Sequence, residues 1–125
     1  MSRLSTHVLD TSRGRPAAGV PAVLERQAAD GSWSVLGQGV TDADGRIPDL
    51  FPGPLEAGIH RLTFDTAAYF AKHNTAAFYP YVAIVFDIRE PAQHHHVPLL
   101  LSPFGYSTYR EIGRASCRER VYSSV

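Results

Sequence analysis

The chain has 125 residues, 44% apolar and 19% charged, the make-up of one globular domain that buries roughly two thirds of its unfolded surface. Its 12 basic and 12 acidic side chains cancel, so no electrostatic footprint argues for a nucleic acid or an anionic membrane as partner. No apolar run approaches the ~20 residues of a membrane span, the Met1–His7 start lacks a signal-peptide core, and Cys117 alone makes neither a disulfide framework nor a thiolate-rich metal site, so a cytoplasmic location is expected.

Leu4 to Asp10 alternates, with Leu4, Thr6 and Val8 on one face and Ser5, His7 and Leu9 on the other, which predicts a strand. Ser12 to Pro16 reads as a turn. A second strand is expected from Val20 to Arg26, and Asp30-Gly31 signals a hairpin into a third, Trp33 to Gln38. Asp42-Ala43-Asp44-Gly45 is a tight acidic turn that delivers Arg46. After a Pro- and Gly-rich connection from Pro48 to Pro54, Gly58 to Phe64 is the next strand.

Asp65 to His73 breaks the alternation. Asp65 or Thr66 can cap a short helix, its body of Ala67, Ala68, Phe70, Ala71 and Lys72 favours one, and Asn74 is a plausible stop. The β-branched run from Val82 to Ile88 predicts a central strand. Glu90 to Gln93 turns the chain into a strand that begins with His94, His95 and His96 and runs through Val97-Pro98-Leu99-Leu100-Leu101. Ser102 to Gly105 joins it to a last strand, Tyr106 to Arg110. Short strands with turns every eight to twelve residues and one small helix predict an all-β fold, an antiparallel β-sandwich.

Glu111 to Val125 does not belong with the rest. It mixes charges of both signs with Cys117, carries no usable periodicity, and reads as a translated adapter appended to a domain of residues 1–110. That tail is expected to be disordered.

The histidine strand carries the chemistry. Alternation puts His94 and His96 on one face and His95 on the other. His94 and His96 could hold a metal if Asp87, Glu90 or His7 converged on them, since a closed zinc site needs about four ligands. They could equally be a solvated edge. The third reading is a neutral imidazole serving as general base near neutral pH. His7, Arg46, Tyr109 and Arg110 each have an ordinary structural reading when taken singly.

Several stretches together resemble the transthyretin-related 5-hydroxyisourate hydrolase family. They are the opening Leu4-Ser5-Thr6-His7-Val8-Leu9-Asp10-Thr11, the central Thr41-Asp42-Ala43-Asp44-Gly45-Arg46, and the closing His-X-His-Val-Pro-Leu-Leu-Leu-Ser-Pro-X-Gly-Tyr-Ser-Thr-Tyr-Arg of residues 94–110. Phe64 to Phe70 and Tyr79-Pro80 also fit, so the similarity spans residues 4–110. The resemblance implies a transthyretin-like sandwich of seven to eight strands with one short helix. It also implies a homotetramer built as a dimer of dimers, with active sites in grooves where dimers meet. It implies hydrolysis of 5-hydroxyisourate to 2-oxo-4-hydroxy-4-carboxy-5-ureidoimidazoline in urate degradation, without a metal or other cofactor. The catalytic positions carried over are His7, Arg46 and His96, and the substrate-binding positions are His7, Arg46 and Tyr109. The family's closing Tyr-Arg-Gly-Ser begins at Tyr109 and Arg110, but Glu111 and Ile112 stand where Gly and Ser are expected. A non-enzymatic small-ligand carrier of the same fold and a metal-binding β-protein are the alternatives.

Overall fold

A computed structural model of the chain describes residues 4–110. In chain order the elements are β1 (Leu4–Asp10), β2 (Arg15–Pro16), β3 (Pro21–Gln27), β4 (Trp33–Val40), β5 (Gly58–Phe64), α1 (Thr66–Lys72), β6 (Val82–Ile88), β7 (His95–Ser102) and β8 (Gly105–Thr108). Four strands make one sheet in the order β2-β1-β7-β8, and four make the other in the order β4-β3-β5-β6. Their inner faces share one apolar core.

The alternation read in the sequence decides which side chains enter that core. Leu4 and Val8 of β1, Ala22 and Leu24 of β3, Leu62 and Phe64 of β5, and Val97, Leu99 and Leu101 of β7 are all buried. Each large apolar side chain fully withdrawn from water contributes about 1.5–3 kcal/mol, which is what holds the two sheets together. Helix α1 starts as expected, with the Asp65 carboxylate accepting from the Ala68 N–H. It ends at His73, followed by Asn74 in the left-handed region at φ 52°. Tyr69 anchors it, its hydroxyl donating to Asp10 Oδ2 at 2.7 Å across the core.

Three features differ in detail from the sequence reading. Arg15–Pro16, placed in a turn by its glycine and proline content, forms a two-residue strand against Leu9 and Asp10. The sandwich is antiparallel except at β1 and β7, which run parallel from Leu4↔His95 to Asp10↔Leu101. Alternation reports which face is buried and is silent on the direction of the neighbour. Among the described residues Val82–Ile88 is not central but the edge of its sheet, paired with β5. Its apolar run misleads because Val85, on the outer face, is 57% exposed.

Candidate functional site

Strands β1 and β7 bring the first and last motifs side by side. In their parallel register Ser5 lies level with His96, and His7 lies level with Pro98. Ser5, His7 and His96 are half-buried and alternate with the buried Leu4, Thr6, Val8 and Val97, so all three face away from the core. With strands about 4.8 Å apart and a rise of ~3.3 Å per residue, His7 and His96 sit roughly 8 Å apart at their Cα atoms. Two imidazoles that far apart can close on one small molecule. Ser5 Oγ bridges two rings, lying 2.8 Å from His96 Nδ1 and 2.9 Å from His94 Nε2. His94 precedes β7 rather than opening it, yet it shares the face of His96, as the alternation implied.

Arg46 reaches the same row from the other side of β1. It forms an isolated antiparallel bridge with His7, and Val8 N–H donates to the Gly45 carbonyl at 2.8 Å. Partners directly opposite in an antiparallel bridge point the same way, so Arg46 is exposed on the face that carries His7. Asp42 builds the turn that presents it, its Oδ1 accepting from the Asp44 and Arg46 N–H groups at 2.9 and 3.0 Å. Gly45 is required here: its φ is +77°, and a Cβ would lie 2.3 Å from the Val8 carbonyl oxygen.

Tyr109 and Arg110 lie beyond the end of β8, which stops at Thr108. Among the described residues the strand therefore pairs with Leu99 to Ser102 of β7 and stops short of the histidine half. A cavity of about 220 Å³ occupies that gap, with Phe86 of β6, His95, His96, Tyr109 and Arg110 among its walls. His96 thus borders both the outer row and this cavity, whereas His7 and Arg46 line the outer row only. Of the candidate substrate-binding residues, Tyr109 is the one set apart.

Two buried histidines adjoin the cavity, His95 in its wall and His60 behind Phe86. His95 is buried, its Nδ1 donating to the Gln93 carbonyl at 3.0 Å. Burial pushes its pKa below the usual 6.5, and the nearby Arg110 charge pushes the same way against that hydrogen bond. His60 of β5 is fully buried, donates from Nδ1 to the Gly58 carbonyl at 2.9 Å, and stacks on Phe86 at 5.8 Å. Burial, assisted by Arg26 beside it, also lowers its pKa. Both rings are therefore held neutral, with the lone pair on Nε2.

The sequence reading missed Ser5 as a functional residue, although the alternation that exposes His7 exposes Ser5 as well. Among the described residues no three His, Cys, Asp or Glu side chains converge as a metal site. His94 and His96 meet at a serine hydroxyl, and neither Asp87 nor Glu90 joins them there.

Comparison with known proteins bears on this geometry. The family model described as HIUase/Transthyretin family matches residues 4–111. The 5-hydroxyisourate hydrolase of Salmonella typhimurium is 47% identical over 108 residues, 86% of this chain and 79% of its own. Among solved structures, Klebsiella pneumoniae 5-hydroxyisourate hydrolase superposes with a TM-score of 0.76 at 40% identity, covering 87% of this chain and 92% of its own. Sea bream transthyretin in complex with thyroxine superposes at 0.84 with 36% identity, covering 90% and 98%.

Proposed function

The chain belongs to the HIUase/Transthyretin family, and from that premise we propose that it is a hydrolase that opens the ring of 5-hydroxyisourate in urate degradation. The observation that carries this reading is the outward-facing row of Arg46, His7 and His96 assembled by β1, β7 and the Asp42 turn. A planar, activated cyclic amide needs a base for water and a positive partner for the oxyanion that forms on its carbonyl. His96 takes the proton of the attacking water, with His7 orienting that water from the neighbouring strand. Arg46 supplies a fixed cation where negative charge develops, commonly the largest single contribution to such catalysis. Water adds across the C–N bond, giving a carboxylic acid and a ureido N–H, and the acid ionises at neutral pH. Tyr109 hydrogen-bonds the substrate from the cavity side of His96. No step requires a metal, because a strained acyl group yields to a well-placed base and cation.

The assembly we propose is a homotetramer, a dimer of dimers in the cytoplasm. Its support is the pair of apolar sheet edges, where Tyr81, Val85, Phe104 and Tyr106 are exposed on a chain of zero net charge.

The resemblance to a thyroxine-bound transthyretin favours one second reading, a carrier that binds a small aromatic ligand without chemistry. Ultraviolet decay of freshly prepared 5-hydroxyisourate, with and without the protein and with a strong chelator present, separates the readings. Accelerated decay unaffected by chelation is expected. Decay at the spontaneous rate would leave the carrier, and loss on chelation restored by zinc would bring back a metal centre.

A further inference from the structure

We propose that Ser5 and His94 form a proton relay behind His96, carrying the proton that His96 takes from water out to solvent and returning one for the leaving nitrogen. This inference rests on the hydrolase reading above. Its geometric basis is the serine hydroxyl held between two ring nitrogens, 2.8 Å from His96 Nδ1 and 2.9 Å from His94 Nε2. A serine hydroxyl has one hydrogen to give and lone pairs to receive, so between two rings it accepts from one and donates to the other. The inner ring, His96, is half-buried beside the cavity, while the outer ring, His94, is exposed. Neither a core nor a folded edge requires two histidines to share one hydroxyl.

The two possible orientations of that hydroxyl are the two working states of the base. In the first, His96 donates from Nδ1 to Ser5, and Ser5 donates to His94 Nε2. His96 then carries its lone pair on Nε2 and removes a proton from water. The N–H proton on Nδ1 next passes to Ser5 Oγ as the Ser5 hydrogen passes to His94 Nε2. His96 is again neutral, now as the Nε2–H form, and the extra proton sits on His94, which gives its Nδ1 proton to water. As the C–N bond breaks the relay runs backwards: His94 takes a proton from water at Nδ1 and passes its Nε2 proton to Ser5, Ser5 passes its hydrogen to His96 Nδ1, and His96 gives its Nε2 proton to the leaving nitrogen, so both rings end neutral in their starting tautomers. The balance closes: one water is consumed, one C–N bond breaks, the ureido nitrogen gains a hydrogen, and one proton leaves when the carboxylic acid formed ionises. Ser5 is a positioning and relay residue rather than a catalytic one, since it touches His96 and not the substrate.

Other charged or titratable groups surround the relay. His7 follows Ser5 on the same face of β1, Arg46 lies beyond it, Asp87 and Arg110 share the cavity with His96, and Arg89 and Glu90 occupy the turn before His94. These set the absolute position of any titration, so the test compares variants that leave all of them in place.

With the relay intact, a single proton on the pair can rest on His94 and leave His96 competent as base. In His94→Asn the same proton must sit on His96. The acid limb of the kcat/KM profile should therefore move up by about one pH unit in His94→Asn and in Ser5→Ala, while Ser5→Thr, which keeps the hydroxyl, stays with the parent. Both relay-breaking variants should also lose about tenfold in kcat at neutral pH, a fraction of the 10²–10⁴ a positioned base supplies, with KM little changed. Nitrogen NMR of His96 in the free protein reads the same coupling without substrate: its tautomer balance and titration should change in Ser5→Ala and in His94→Asn. Variants that scale the rate without moving the acid limb, or an unchanged His96 spectrum, would overturn the relay. A parent chain with no hydrolysis but a coupled His96 spectrum would instead overturn the hydrolase reading and leave only the hydrogen-bonded triad.

Discussion

Arg46 is a side chain whose replacement tests function without disturbing the fold. Its backbone is fixed twice, by the Asp42 carboxylate and by the bridge to His7, so removing the guanidinium leaves the turn in place. Arg46→Ala should cut kcat/KM by ~10²-fold or more, and His96→Ala by a similar factor, in the ultraviolet assay. Near-parental turnover in either variant would refute the assigned roles. Asp10 belongs to stability instead. Burial alone would raise its pKa, but hydrogen bonds from the Ser12 and Tyr69 hydroxyls and the Arg13 and Ser12 N–H groups outweigh that and leave it lowered. Burial and the Asp10 charge push the Tyr69 phenol up to about 12 in turn. Asp10→Ala abandons several buried donors at once and should cost about 2–4 kcal/mol in urea unfolding, without a selective effect on kcat.

Among the elements, β7 shows where sequence reasoning succeeds and where it stops. The alternation of β1, the bounds of β5 and β6, the Asp65 cap and the shared face of His94 and His96 all follow from local rules, because each depends on residues a few positions apart. The parallel pairing of β1 with β7 and the Ser5 bridge depend on partners some ninety positions away, and the edge position of β6 on the order of strands in its sheet, none of which a local pattern encodes. The buried pair His60 and His95 was likewise invisible: an inward histidine looks like any other until its neighbours are known. The pair gives the domain an acid sensitivity of stated sign. Both folded pKa values lie below the usual 6.5, so the unfolded chain binds protons first as pH falls. Their contribution is complete above that value and is lost progressively below it, whereas that of Asp10 persists until pH falls below its ordinary 3.8. The urea midpoint should therefore drop between pH 7.5 and 5, and a His60→Gln, His95→Gln double variant should flatten that slope. An unchanged slope in the double variant would place the acid sensitivity elsewhere.

For the whole molecule, Tyr109 and Arg110 lead the chain along the cavity beside His96, and Glu111 to Val125 continue outside the described residues. Glu111 and Ile112 put a charge and a branched side chain where the resembling family ends in Gly-Ser. A site that must hold its groups within about half an ångström is sensitive to a change of sequence next to Tyr109 and Arg110. Replacing residues 111–125 by Gly-Ser should raise turnover and tighten the proposed tetramer, read by the ultraviolet assay and light scattering, with the β-sheet circular dichroism unchanged. Equal activity and mass in the two chains would make the extension innocuous.

The parallel contact of β1 with β7 also sets an order of events during synthesis. Leu4 cannot meet His95 until nearly the whole domain has left the ribosome, and at ~5–20 residues per second that is a wait of several seconds. Meanwhile β3, β4 and β5 pair through near neighbours and need no help from the N-terminus. Closing a loop of that length costs entropy before its contacts return any, so the sheet bearing the histidines forms last. In pulsed hydrogen exchange the amides of Ala22 to Leu24 and Leu62 to Phe64 should gain protection before those of Thr6 and Val8. Nascent chains stalled before Val97 should leave the first strand open to protease. Hydrolysis would then be acquired in the final step of folding, so an active molecule is one in which β1 has already met β7.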